Sequence, residues 1–244
     1  IMTSTLKTNA IEPEGATTNL VIGESGQNTV ISNNDIRANV LQDAGGNAVF
    51  TSNGSGVLSG VNSGLGSAMI LISTQTASGS ASISFTSGID STYKEYIFKF
   101  TDVHPETNDV NFQVNFRDGG SSYDATKTTT YFSGYHEEDD SPAQVSYETA
   151  ADLAQSTGVQ NLTKGGLGNG NDECLAGIIH LYDPSNTTFV KHFISQVHAI
   201  GNSVQSANNF CAGYFNTTSA VDAIQFKMSA DNINAGVIKL YGIS

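Results

Sequence analysis

Tyr96-Ile97-Phe98-Lys99-Phe100 and Asn111-Phe112-Gln113-Val114-Asn115-Phe116 decide the fold. In both stretches, large apolar residues recur at every second position. Side chains of a β-strand point alternately to opposite faces, so this period places one apolar set on one face. Tyr96, Phe98 and Phe100 share a face, with Glu95 and Lys99 opposite; Phe112, Val114 and Phe116 share another. A helix would scatter these residues around its circumference.

Beyond these two stretches the same period recurs. Ile83 pairs with Phe85, and Ile224, Phe226 and Met228 face away from Gln225 and Lys227. Further strands are expected over 128–135, 175–182, 189–198, 211–215 and 236–241. Strands of this length, separated by polar turns, predict an all-β, antiparallel, jelly-roll-like β-sandwich over residues 67–244. Helix is expected only as two turns over 148–155 and one over 219–223.

Residues 1–66 read differently. Leu20-Val21-Ile22, Thr29-Val30-Ile31, Ala48-Val49-Phe50-Thr51 and Val57-Leu58 are separated by clusters of Gly, Ser, Asn and Asp. Each apolar piece is too short for a private core. An extended N-terminal β-rich arm or shaft is expected, with its core shared between copies. That predicts a homo-oligomer, and a trimer is the simplest shaft. Ser59 to Gly66 reads as a linker.

Composition sets limits. Of 244 residues, 14% are charged, against about 25% in an average globular chain. Ser, Thr, Asn and Gly take their place, as strands and turns prefer. Ten basic residues face 23 acidic ones, a net charge of −13. Such a balance repels phosphate backbones and argues against nucleic acid as a partner. The longest apolar run, Ala68 to Ile72, is far short of the ~20 residues that span a bilayer, so no membrane insertion is expected.

Candidate chemistry is sparse. Glu137-Glu138-Asp139-Asp140 follows Tyr135-His136 and precedes Pro142. Adjacent carboxylates repel unless solvated or ion-bound, so the run reads as a solvated loop tip or a Ca²⁺ contact. Asp172-Glu173, in the loop Gly165-Gly166-Leu167-Gly168-Asn169-Gly170-Asn171, forms a second acidic group. Tyr135, His136, Asp172 and Glu173 are the candidate outward loop contacts. The longest polar connections are 118–127, 135–147 and 164–173; the second and third are expected at one solvent-facing end, giving it a negative field.

His180, His192 and His198 fall at even parity in expected strands, as satisfied strand histidines or as a cross-strand cluster. Cys174 and Cys211 read either as buried small hydrophobes or as a cross-strand disulfide. No Gly-x-Ser-x-Gly elbow and no phosphate-binding Gly-x-x-x-x-Gly-Lys pattern occurs. No catalytic residue and no cofactor are assigned.

Several segments resemble virion structural proteins, including tail fibre proteins, of marine tailed bacteriophages such as cyanophages. They are Met2 to Asn9, Ile83 to Phe100, Asp152 to Ser156, His180 to Ser185, Thr188 to His192, Ala223 to Ser229 and Ile238 to Ile243. The resemblance implies a non-enzymatic virion component, a trimeric fibre or spike. Its N-terminal arm would bind other virion proteins, and its head would face outward toward a host surface glycan. The alternatives are a capsid-decorating protein and a carbohydrate-binding module or depolymerase. Tyr123, Tyr131, Tyr135 and Tyr147 favour sugar contact, whereas the lack of Trp removes the best stacking residue.

Overall fold

The computed structural model describes residues 40–42, 45, 47–52, 58–59, 68–140 and 142–243. The chain divides into two units, Ile1–Val61 and Asn62–Ser244. In the first, β1 (Val40–Gln42), β2 (Ala48–Ser52) and β3 (Leu58–Ser59) form a small antiparallel sheet in the order β1-β2-β3. The expectations for residues 1–39 and for the linker lie outside the described residues.

The second unit is all-β. Its strands are β4 (Met69–Ser80), β5 (Ile83–Phe85), β6 (Glu95–Pro105), β7 (Phe112–Arg117), β8 (Lys127–Glu137) and β9 (Ala143–Tyr147). They continue with β10 (Gln160–Asn161), β11 (Leu175–Tyr182), β12 (His192–Ile200), β13 (Gln205–Phe215), β14 (Ala223–Met228) and β15 (Ile233–Ile243). One sheet has eight strands, β4-β15-β6-β11-β12-β13-β8-β9; the other has four, β10-β7-β14-β5. Pairing is antiparallel throughout. The expected β-sandwich is thus present, with its strands split unequally.

The alternation read from sequence builds the core. Tyr96, Phe98 and Phe100 of β6 point inward, as do Phe112, Val114 and Phe116 of β7 and Ile224, Phe226 and Met228 of β14. Phe226 meets Phe85, Phe98, Phe100 and Phe112 with ring centroids 5.1–6.4 Å apart. Phe116, Phe193 and Phe215 form a second aromatic group toward the start of β8. Edge-on and offset-stacked aromatic contacts of this kind add about 1 kcal/mol each beyond the area they bury. Gly236 holds a bulge in β15 at φ +123°, where a Cβ would meet the Val103 backbone.

The outer face of the large sheet carries the opposite parity. Cross-strand rows run Tyr182–His192–Tyr214–Thr128, His180–Ile194–Ala212–Thr130 and Ile178–Gln196–Phe210–Phe132. These side chains are exposed or half-buried.

Both helix expectations are corrected, since no helix occurs among the described residues. At 148–155, Ala151 is buried in the core, Glu148 is engaged by three side chains and Gln155 has φ +46°. At 219–223, Val221 bonds to the Pro184 carbonyl and Ala223 enters β14. The disulfide reading of the cysteines is likewise corrected. Both are free thiols; Cys211 points into the core and Cys174 lies just before β11.

Candidate functional site

One end of the sandwich gathers the polar connections. There β6, β8 and β12 finish and β9, β11, β13 and β15 begin. The β12–β13 turn ties them together. Glu138 N donates to Val204 O (3.3 Å), and Asn202 N donates to Gly166 O (3.0 Å). Gly168 N donates to Ile200 O (3.3 Å), and Leu167 N to Val110 O (2.7 Å). The 135–147 and 164–173 connections therefore meet at one end. Gly165 and Gly166 take φ +99° and +74°, and a Cβ on Gly166 would run into Asp109.

The 135–147 segment is a β-hairpin rather than an open loop. Tyr135, His136 and Glu137 finish β8, and Ala143–Tyr147 returns as β9. Each acidic side chain with a described bond is turned to a different partner. Glu137 Oε1 accepts from Gln205 Nε2 at 2.8 Å, and Asp140 Oδ1 lies 3.2 Å from His136 Nε2. Glu173 Oε2 accepts from Gly170 N at 2.6 Å. Among the described residues, no group of three or more His, Cys, Asp or Glu is placed to hold a metal ion. The Ca²⁺ reading of Glu137 to Asp140 thus finds no assembled donor set. A strand-then-turn backbone splays consecutive side chains apart.

Three depressions open at this end. The first, about 410 Å³, is walled by Tyr135, His136, Gln144, His198 and Asn208. Gly134 creates it by placing no side chain between Asn208 and Val145. Tyr135 Oη donates to Gln144 Oε1 at 3.4 Å, and His198 Nε2 lies 2.9 Å from Ser206 Oγ. The wall thus offers an aromatic face and hydrogen-bonding groups of both polarities.

The second, about 350 Å³, is lined by Asp102, His104, Asn171 and Cys174. Here Asp102 stands at φ +50°, and His104 Nε2 lies 3.0 Å from Gly170 O. His104 Nδ1 is buried without a partner. Burial, with Asp102 nearby, pushes the Cys174 thiol up from its ordinary range. A thiol kept protonated at neutral pH is a poor nucleophile.

The third, about 150 Å³, surrounds the Glu148–Lys164 ion pair. Burial raises the Glu148 pKa, but hydrogen bonds from Lys164, Ser146 and Ser133 outweigh it and hold the carboxyl below its usual value.

The structure thus brings Tyr135 and His136 into one depression and places Asp172 and Glu173 beside another. His180, His192 and His198 share the outer sheet face without forming one cluster. His180 Nδ1 is 2.5 Å from Glu95 Oε1, His192 stacks loosely on Tyr214, and His198 meets Ser206. Sequence reasoning missed Gln144, Ser206 and Asn208, which sit in polar runs with weak strand signal. The candidate contacts Tyr135 and His136, and the even parity of His198, were the parts of this wall that the sequence pointed to.

No family model, curated protein or solved structure matches this chain.

Proposed function

We propose that this chain is a non-enzymatic attachment subunit of a virion, a fibre or spike. Residues 1–66 anchor it, and the loop end of the β-sandwich contacts a polar cell-surface glycan. The observation that supports this reading is the depression walled by Tyr135, His136, Gln144, His198 and Asn208. Flat aromatic faces beside amide and imidazole groups suit a sugar's alternating C–H and hydroxyl faces. The acidic hairpin tip next to it favours a neutral or cationic ligand over an anionic one.

The test is binding of the full chain to surface polysaccharide of the host, with Tyr135→Ala and His198→Ala. At least a tenfold loss is expected, since each removes a direct contact worth about 1.4 kcal/mol. The joint replacement Glu137→Gln, Glu138→Gln, Asp139→Asn, Asp140→Asn is assayed with and without chelator. Undiminished binding by both alanine variants defeats the reading; a chelator effect on wild type alone assigns Ca²⁺ to the tip. Particle cryo-EM that finds the chain on the head shell moves it to the capsid-decorating class.

A further inference from the structure

We infer that the outer face of the eight-stranded sheet, between the loop end and the opposite end, packs against a second copy of this chain. The proposed sugar depression lies on the same face, one cross-strand row nearer the loop end; the inference does not rest on that reading.

The face carries an apolar ridge that the core does not use. Phe132 and Phe210, directly paired across β8 and β13, stack with centroids 4.7 Å apart and an interplanar angle of 10°. Beside them Ile194 is 50% exposed and Phe132 44%. Ile178 and Tyr182 of β11 continue the ridge. The small side chain of Ala212 leaves a hollow of about 410 Å³ next to it, between Thr130, His192 and Tyr214. A ridge beside a hollow on one face is self-complementary in shape, as a two-fold contact requires.

Two further observations favour a second copy over other occupants. The first is size. Eight strands at ~4.8 Å spacing and about six residues of strand at ~3.4 Å give roughly 780 Å² on one side, close to the ~800 Å² per partner of a stable protein interface. A sugar chain would cover a fraction of it.

The second is charge. Copies of a chain with net charge −13 repel one another over most of their surface. On the strands of this face carboxylates are few among the described residues: Glu95 is already held by His180, and Asp102 stands in the β6 bulge at the loop end. Lys99 and Lys239 lie to one side on β6 and β15, with the Lys99 ammonium 5.6 Å from the Tyr241 ring. Interface centres are depleted of charge and enriched in aromatic residues, with charges left at the rim.

The test is the mass of the full chain in solution by light scattering and native mass spectrometry. Wild type should be an oligomer at micromolar concentration. Phe210→Glu and Ile194→Glu should dissociate it, with association weakened more than roughly 100-fold, because each leaves an unpaired charge in the contact. Thr130→Arg, at an exposed strand position, serves if the first two fail to fold as judged by circular dichroism. Gln225→Glu, on the outer side of the smaller sheet, should leave the oligomer intact. A monomeric wild type overturns the inference, as does an oligomer that survives the folded face variants. If wild type is monomeric and the same variants abolish polysaccharide binding, the face belongs to the sugar instead.

Discussion

The two ends of the sandwich treat charge in opposite ways. At the loop end, carboxylates stand outside: Asp140 is exposed on a hairpin tip, and Glu138 and Asp172 sit in turns. At the other end, two lysines are taken inside. Lys127 is 0% exposed and Lys191 1%. The Lys191 ammonium donates to the carbonyls of Thr217 (2.9 Å) and Ser219; Lys127 donates to Asn115 Oδ1 (2.6 Å) and Ala125 O (3.2 Å). A buried cation can act as a multi-pronged hydrogen-bond donor that closes a loop, whereas an exposed anion shapes only the field outside. The difference predicts that one end governs stability and the other governs contact.

Lys191→Met should have the largest effect. It leaves the Thr217 and Ser219 carbonyls unpaired and releases the 216–222 connection, at a cost of about 3 kcal/mol in urea unfolding. A loss below ~1 kcal/mol would mean that the loop closes without its lysine.

Lys127 gives a pH signature. Burial lowers its pKa from 10.5 to about 8. Between these values the unfolded chain keeps the proton and the folded chain has released it. Stability should therefore rise with pH, by about 2 kcal/mol from pH 8 to 10 from this group alone. Cys211, whose thiol is pushed up to about 12 by burial, works against it above pH 9. Subtracting the curve of Lys127→Met from that of wild type isolates the lysine, and a flat difference would remove this account.

Glu148 is a partly buried carboxylate at the loop end. Its pKa is held below the ordinary value, so its contribution is complete above that value and fades as pH falls through the folded one. Glu148→Gln should cost about 1 kcal/mol at pH 7, discounted for the exposed Lys164 partner, and almost nothing near pH 3. At the tip itself, Glu138→Gln with Asp140→Asn should change stability by less than ~0.5 kcal/mol.

What was legible follows from the range of the cause. The period of Tyr96, Phe98 and Phe100, or of Ile224, Phe226 and Met228, is local, so inward faces could be read directly. Strand β9 was hidden: Ala143, Val145 and Tyr147 do alternate, but they follow an acidic run and Pro142 and face outward with no core to mark them. The polar half of β4, Thr74 to Ser80, is a strand because β15 pairs with it, which no local pattern announces. The two helix expectations failed for the same reason, since helix-permissive residues at 148–155 are overruled by bonds to β8 and to Lys164. At the site, Tyr135 and His136 were visible as a polar stop to β8. Their neighbours His198 and Asn208 come from 62 and 72 residues further along in the sequence numbering, and only the antiparallel register of β8, β13 and β12 unites them.

Strand β15 lies between β4 and β6, although it follows β6 by more than a hundred residues in the chain. During synthesis, then, β4 has no permanent neighbour until residue 243 has been made. Until that moment the nascent polypeptide carries a twelve-residue strand with an open hydrogen-bonding edge, the kind of template that recruits other chains. The polar run from Ser73 to Ser80, mostly Ser, Thr and Gly, keeps that waiting edge water-compatible. A premature stop before Ile233 would leave β4 and the facing edge of β6 unpaired rather than yield a smaller folded domain.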